Sequence, residues 1–340
     1  MKTGDERYAK EGLDKPAASL GVLQGLRRFM NNYAILYAII ILCVLLAITT
    51  DNFLRVTNLV NVLRQNSMVV MLAIGEFFVL VAGSLDISTG AIVALISILF
   101  SKMMVDLSLP PLVAAVLAIF FGMLIGLFNG LVITRLKIPA MIATLAMQYV
   151  CNGAVYLISG GYAVSGLPDS ISFLGKGNFM GWSWLPWPVL IMLLIAAAAH
   201  FISQKTTFGR SLYAIGGNVE AAYLSGIRDK RILTMAHVIC GGLAASASIV
   251  LTSRLASGQV NAGSGWEFEA IIGAIIGGVS ITGGRGRVFG AVFGTFLVGI
   301  LVNGMTLNDI DSNVQKIVKG LVLIFAIAFD IYAVNKKNKR

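Results

Sequence analysis

Long apolar segments separated by short basic loops constrain the fold of this chain more than any other feature. Apolar residues make up 57% of its 340 residues and charged residues only 12%, whereas a soluble domain carries about 25% charged residues. So few charged side chains cannot cover a water-facing surface around so much apolar material. The sequence therefore predicts an integral membrane protein, with lipid as the solvent for most of its surface.

Ten apolar segments are candidates to cross a bilayer, which requires roughly 17–25 residues in a helix. They predict an all-α fold, a polytopic membrane helix bundle with about ten transmembrane segments including broken helices, although a re-entrant segment would mimic a crossing. The clear candidates lie at 33–50, 111–133, 138–159, 187–203, 232–252 and 314–334, and the shorter or interrupted ones at 68–83, 88–105, 270–282 and 288–304. The predicted domains are an N-terminal segment at 1–32, a transmembrane domain at 33–334 with a long loop at 204–231, and a basic tail at 335–340.

The distribution of positive charge orients the predicted bundle. The net charge of +10 comes mainly from Lys and Arg in the tail and in four other regions, at 1–30, 134–137, 204–231 and 283–287. Because cytoplasmic loops carry an excess of Lys and Arg, ten crossings place all of these regions and both termini in the cytoplasm. The segments 160–186 and 252–270 then lie outside. This pattern indicates contact with membrane lipid and gives no indication of nucleic-acid binding.

Several kinds of chemistry are missing from the sequence. It has no Gly-x-x-x-x-Gly-Lys-Ser/Thr loop for nucleotide phosphates and no Gly-x-Ser-x-Gly nucleophile motif. The two histidines, His200 and His237, lie far apart with no carboxylate spaced to complete a metal site, and we interpret both as interfacial or packing residues. No catalytic residue, metal site or cofactor is therefore predicted.

Two of the shorter segments are interrupted by glycine and polar residues, GSLDISTG at 83–90 and GGVSITGGRG at 277–286. Each is either a loop at the bilayer surface or a break in a discontinuous helix of the kind found at transport sites. Charges within apolar segments are few: Glu76 is deep, Asp86 lies in the first break and is expected near water, and Asp330 lies near the cytoplasmic end. An ion-coupled carrier would normally carry more acids, so this scarcity favours energy delivered from outside the membrane.

The longest cytoplasmic loop contains a distinct local pattern, TTFGRSLYAIGGNVEAAYLSGI at 206–227. Asn218 is a good N-cap and Glu220 complements the helix dipole in the first turn. They predict a two-turn helix over 219–225, ended by Gly226. Such a helix either docks on a cytoplasmic partner or serves as a structured connector.

This loop resembles the coupling segment of ribose-type ABC permeases, in which the elements Gly-Arg, Ala-x-Gly-x-Asn and Ala-Ala-x-x-Ser-Gly-Ile follow in order. Those elements stand here at 209–210, 214–218 and 221–227, and further similar stretches lie at 73–95, 136–147 and 256–294. Together the similarity covers nearly all residues from 33 to 334. One departure is Glu76, where relatives more often carry Met.

The resemblance implies the permease subunit of an ATP-driven, binding-protein-dependent importer of ribose or a similar monosaccharide in the bacterial cytoplasmic (inner) membrane. It implies three partners: a cytoplasmic ABC ATPase, a periplasmic or lipid-anchored sugar-binding protein, and a second permease, either another copy of this chain or a similar one. The ATPase-coupling residues would be Gly209, Arg210, Gly216, Asn218, Glu220, Ala221, Ala222, Ser225 and Gly226.

Polar residues within the apolar segments are candidates for the transport pathway, namely Glu76, Asn129, Gln148, Asn152 and Asn303. Interhelical hydrogen bonding is an equally good explanation for the amides among them. The external loops are candidates for docking the binding protein, with Arg254, Glu267 and Glu269 as charged contacts. A gradient-driven secondary carrier for small polar solutes and a membrane scaffold for a cytoplasmic partner are the alternative functions.

Overall fold

A computed structural model describes residues 35–182 and 184–338. The predicted N-terminal segment at 1–32 lies outside these residues. The described part contains thirteen α-helices and no strand longer than an isolated bridge. They are α1 (Ile35–Thr49), α2 (Val56–Val81), α3 (Thr89–Val105), α4 (Pro111–Arg135), α5 (Ala140–Ser159), α6 (Ser172–Lys176), α7 (Trp187–Lys205), α8 (Thr207–Gly217), α9 (Val219–Leu224), α10 (Asp229–Leu255), α11 (Trp266–Ile276), α12 (Val288–Leu307) and α13 (Ser312–Asn338).

The predicted all-helical fold, with several helices apolar enough to cross a membrane, is confirmed. Within the described residues, six helices are long and apolar enough to span a bilayer: α2, α4, α5, α7, α10 and α12. Each of the ten predicted segments overlaps one helix. Helix α2 begins at Val56 rather than at residue 68. Polar residues in its first turns are accommodated by hydrogen bonds, such as the one that Asn58 donates to Asn303 on α12.

Burial separates a central layer from a lipid-facing one. In α2, 83% of the residues in its most apolar window are buried, whereas the corresponding share in α4 is 22%. Helix α4 is also the more hydrophobic of the two, as expected for a helix that faces lipid on most sides. The functional elements described below surround α2 and α3, which form the centre of the fold.

Helix α4 lies against α10 along a row of three glycines spaced four residues apart. Gly122 faces Gly241, Gly126 faces the backbone of His237, and Gly130 faces the next turn of α10. Small residues at this spacing let two helices approach closely and pack by van der Waals contact. The glycine row therefore lets α4 pack closely against α10, and this packing fixes α10 beside the first break.

The connection between α10 and α11 runs inward along α3. Gly258 lies against Ser101 near the end of α3, whereas Gly263 lies against Val93 and the carbonyl of Gly90 near its start. Eleven residues of helix correspond to about 16 Å at 1.5 Å per residue. Helix α11 therefore begins well inside the bundle, which explains why it is only 11 residues long.

This path differs from the sequence prediction, which placed the whole of 252–270 in an external loop. The stretch is only modestly apolar, which favoured an external loop. Its glycines nevertheless allow the backbone to approach α3 closely. The backbone N–H of Gln259 also donates to Ser97 Oγ at 3.2 Å, so part of its hydrogen-bonding capacity is satisfied by α3.

Candidate functional site

The loop between α7 and α10 folds into two short helices with side-chain caps. Thr206 Oγ1 accepts a hydrogen bond from Gly209 N at 3.1 Å at the start of α8. Asn218 Oδ1 accepts one from Ala221 N at 2.9 Å at the start of α9. The N-cap predicted at Asn218 is confirmed. The loop is thus a folded unit of two helices rather than an extended connector.

Helix α9 presents an apolar surface to its surroundings. Val219, Tyr223 and Leu224 are 52%, 67% and 79% exposed, whereas Ala222 is buried against the body of the protein. Of the coupling residues predicted from sequence, Glu220 and most others in α9 and its flanks are exposed as well. Val219, Tyr223 and Leu224 were missed by the sequence reasoning. Their signal was three large side chains in a short loop helix whose other residues are Glu220 and two alanines.

The end of α8 touches both interrupted segments through backbone atoms. We call this contact the glycine junction, and its members are Gly83, Gly216, Gly217, Gly283 and Gly284. Gly284 N donates a hydrogen bond to Val81 O, at the end of α2, at 2.9 Å. A Cβ on Gly216 would overlap both of those atoms. The loop between α7 and α10 and the two breaks therefore meet with no side chain between them.

A tyrosine reinforces the glycine junction. Tyr213 Oη donates to Gly286 O at 2.9 Å and accepts from Gln204 Nε2 at 3.2 Å. Partial burial raises the pKa of Tyr213 above its usual value, so its hydroxyl stays protonated and able to donate at neutral pH. Through this bond, α8 is joined to the second break by a side chain as well as by backbone contact.

The first break is held by a fully buried polar cluster. Asp86 accepts hydrogen bonds from Ser88 N at 2.9 Å and Asn129 Nδ2 at 3.2 Å, and its Oδ2 lies 3.0 Å from His237 Nδ1. The other ring nitrogen of His237 lies 3.1 Å from Ser84 Oγ. Asp86 is therefore away from water, contrary to the sequence expectation, and His237 is a specific partner of that carboxylate.

The second break is held from one side by α13. Asp330 accepts hydrogen bonds from Ser280 Oγ and Ile281 N, both at 3.0 Å. Asp330 and Ile281 are only partly buried. The sequence located Asp330 near the end of its apolar segment, but its partners fifty residues earlier could not be deduced from any local pattern.

The five predicted pathway residues lie in four separate places. Asn129 belongs to the buried cluster around Asp86, and Asn303 exchanges hydrogen bonds with Asn58 at 3.0 and 3.1 Å. Gln148 and Asn152 line a cavity between α3, α5 and α11. For Asn129 and Asn303 the structure shows the interhelical hydrogen bonding that was the alternative explanation.

Glu76, the fifth pathway candidate, is fully buried within α2. Its Oε1 lies 3.4 Å from Thr89 Oγ1, at the start of α3. Its Oε2 has no hydrogen-bond partner in the part of the chain that the structure describes. Glu76 thus lies behind the first break and does not line the cavity.

The three predicted docking residues do not form one surface. Glu267 is 4% exposed and accepts from Gln148 Nε2 at 3.2 Å, so it belongs to the cavity rather than to an external loop. Glu269 pairs with Lys319 on α13 at 2.7 Å. Arg254 is half-buried, and its backbone packs against Gly175 in the segment between α5 and α7. The inward path of the connection between α10 and α11 accounts for the burial of Glu267.

Known proteins resemble this chain over most of its length. Residues 58–327 match the family described as branched-chain amino acid transport system / permease component. The ribose import permease protein RbsC of Bacillus subtilis (strain 168) is 38% identical over 91% of this chain and 94% of its own length. RbsC of Haemophilus influenzae is 34% identical over 91% of this chain and 96% of its own length. The xylose transport system permease protein XylH of Escherichia coli (strain K12) is 32% identical over 91% of this chain and 94% of its own length. No solved structure gives a significant match.

A chain with buried broken segments, a capped loop helix and this extent of similarity is a polytopic transport permease. It belongs to the transport-system permease family whose signature covers residues 58–327. The resemblance to ribose-type permeases deduced from the sequence is confirmed.

Proposed function

We propose that this permease is the translocation subunit of an ATP-driven, binding-protein-dependent importer of ribose or a similar monosaccharide. The names of the relatives support a sugar, since they are ribose and xylose permeases. The family description also refers to branched-chain amino acids, which makes such an amino acid the second candidate substrate. The observation that carries the proposal is the glycine junction, which connects an exposed loop helix directly to both breaks.

A cytoplasmic ABC ATPase is the proposed partner of α9. The exposed apolar residues Val219, Tyr223 and Leu224 offer the kind of surface that a groove on a partner would cover. Ala222 anchors the opposite side of the helix. Displacement of α9 by the ATPase would pass through α8 to the glycine junction. Because backbone atoms are in contact there, little of the movement would be lost in side-chain rearrangement.

The contacts of the basic loops support the proposed orientation. Thr134 and Thr234 lie 3.2 Å apart through their hydroxyl oxygens, which places the basic loop at 134–137 beside the basic start of α10. The glycine junction places 283–287 beside α8. Three basic regions thus lie at the same end of the bundle, as the positive-inside rule requires of cytoplasmic loops. We propose about ten crossings, with both termini and these loops in the cytoplasm of a bacterial inner membrane.

The remaining partners follow from the proposed class. A periplasmic or lipid-anchored binding protein would deliver the sugar on the opposite side, and a second permease, identical or similar, would complete the pore. The domain boundaries proposed from the sequence, 33–334 for the permease and 204–231 for the coupling loop, enclose the folded helices, although α13 continues helically to Asn338 into the proposed tail.

Reconstitution in proteoliposomes tests the proposed function. The complex of this chain with a cognate ATPase and binding protein is expected to accumulate labelled ribose inside the vesicles only when ATP is supplied to the ATPase. Xylose and leucine are tested in parallel, so that a leucine-specific importer is recognised. Uptake that continues without ATP and stops with an uncoupler would contradict the proposal and support the secondary carrier.

A pair of variants tests the docking surface itself. Tyr223→Ala and Leu224→Ala remove exposed apolar area, so each is expected to weaken ATPase binding about 10-fold, the scale of an interface hot spot, without changing thermal stability. Thr306→Ala, an exposed position on α12, serves as the matched control and should leave ATPase binding unchanged. Binding is measured by co-purification at a series of ATPase concentrations, and native affinity in both variants would exclude α9 as the docking element.

A further inference from the structure

One cavity in the bundle combines a buried carboxylate with a polar rim. It measures about 250 Å³ and lies between α3, α5 and the start of α11. The charged residue in its lining, among the described residues, is Glu267, which is 4% exposed. Glu267 Oε1 accepts from Gln148, but Oε2 has no hydrogen-bond partner in the described residues. A buried carboxylate oxygen without a donor is costly, so a ligand that supplies one would be held there.

The chain makes room for this carboxylate at Gly90. A Cβ at that position would overlap Glu267 Oε2 and the carbonyl of Gly263. The absence of a side chain at the start of α3 therefore lets the Glu267 carboxylate occupy the wall of the cavity. Gly263 also lies close to Gly90, and this contact brings the connection between α10 and α11, which forms the cavity rim, beside α3.

The rim is rich in groups that both donate and accept hydrogen bonds. Asn152, Asn261 and Ser264 are exposed residues of the lining, and amide and hydroxyl groups can each serve as donor and acceptor. Ala91 and Ala94 supply an apolar wall, and the exposed ring of Tyr156 a flat apolar face. Alternating hydroxyl and C–H surfaces, as on a sugar ring, match such a lining.

Charge and size narrow the class of ligand. Among the described residues the lining contains Glu267 and no Lys, Arg or His, so Glu267 repels an anion, and the carboxylate of an amino acid finds no cationic partner there. The volume falls below the roughly 300–1,000 Å³ typical of sites for drug-sized ligands. An uncharged molecule of monosaccharide size with several hydroxyl groups fits both limits.

We propose that this cavity is a polyol-binding subsite of the permease, in which Glu267 accepts hydrogen bonds from hydroxyl groups of the transported molecule. The inference rests on the proposed function for its substrate class. The subsite lies about 16 Å along α3 from the point where the connection between α10 and α11 turns inward. It would therefore hold the sugar inside the bundle after its release from the binding protein.

Direct binding to the permease complex tests the subsite without the binding protein. The complex in lipid nanodiscs is expected to give a saturation-transfer NMR signal with ribose, and the signal is expected to fall at least 10-fold in Glu267→Gln, which keeps the shape of the side chain and removes its charge. Asp106→Asn removes an exposed acid beyond the far end of α3 and should retain the native signal. Equal signals in the native and Glu267→Gln complexes would overturn the subsite.

A rim variant keeps the test valid if Glu267→Gln fails to fold. Asn152 is exposed, so Asn152→Ala is expected to leave folding intact and to weaken the ribose signal about 3- to 10-fold, the loss of one or two hydrogen bonds. An unchanged signal in Asn152→Ala would overturn the subsite in that case.

Uptake measurements separate this inference from the proposed function. ATP-dependent ribose uptake by the native complex with equal uptake by Glu267→Gln overturns the subsite alone. A ribose signal that depends on Glu267, in a complex that shows no ATP-dependent ribose uptake, overturns the proposed function alone. Reduced uptake and reduced signal together in Glu267→Gln support both.

Discussion

The two breaks that meet at the glycine junction are held in different ways. The first is fixed from α4 and α10 by the fully buried cluster around Asp86. The second is fixed by Asp330 on α13, through two hydrogen bonds in a partly exposed setting. Helix α13 otherwise contacts mainly α11 and α12. We therefore predict that the first break is the more firmly held of the two, and that a displacement of α8 would move mainly the second break with α11 and α12.

The largest expected effect is the loss of the anchor. Asp86→Ala leaves Asn129, Ser88 N and the His237 ring without their acceptor in a buried setting. A buried donor left without its acceptor costs about 1–3 kcal/mol, and three groups are affected, so the free energy of unfolding of the detergent-solubilised protein should fall by at least about 3 kcal/mol. Denaturant titration followed by circular dichroism measures it. A loss no larger than that of the matching change in the second break, Asp330→Ala, would contradict the comparison.

The glycine junction itself is expected to respond to one added methyl group. In Gly216→Ala the new Cβ would overlap Val81 O and Gly284 N, and overpacking of this kind costs roughly 1–3 kcal/mol. Uptake per ATP hydrolysed should fall at least several-fold, because both breaks shift relative to α8. In Gly217→Ala, the matched control on the next residue, the Cβ meets no atom within 4 Å and coupling should remain native. Equal coupling ratios in the two variants would exclude a mechanical role for the contact.

A smaller loss is expected at the second break. Asp330→Ala removes two accepted hydrogen bonds, but Ser280 keeps a bond to Thr282 and the site is partly exposed. The expected destabilisation is about 1–2 kcal/mol. If α13 restrains a moving segment, the basal ATPase rate of the complex should rise at the same time. A stable variant with an unchanged basal rate would show that α13 does not restrain it.

The smallest effect is expected from Tyr213→Phe, which removes only the hydroxyl that donates to Gly286 O. A single hydrogen bond of this kind contributes about 0.5–1.5 kcal/mol, and the backbone contacts of the glycine junction remain. Transport coupling should therefore fall less than in Gly216→Ala, as measured by the same uptake-to-hydrolysis ratio. A larger fall would mean that the side chain, rather than the backbone, joins α8 to the second break.

Local features of the structure could be predicted and long-range ones could not. Apolar segments located the helices, and the N-cap at Asn218 followed from its side chain and position, because both depend on neighbouring residues. The partnership of Asp86 with His237 joins residues 151 positions apart, and no local pattern specifies it. The burial of Glu267 likewise follows from the inward path along α3, which depends on contacts between Gly263 and Gly90.

Because the glycine junction consists only of backbone atoms, the residues proposed to recognise the ATPase are different from those that connect the loop to the breaks. The residues that face outward on α9, such as Tyr223 and Leu224, do not take part in the glycine junction. Under the proposed docking of α9, exchange of these residues would retarget the loop to a different ATPase, and the connection to the breaks would stay the same. The loop is therefore suited to the construction of chimeric importers, in which the six residues of α9 are replaced as a cassette.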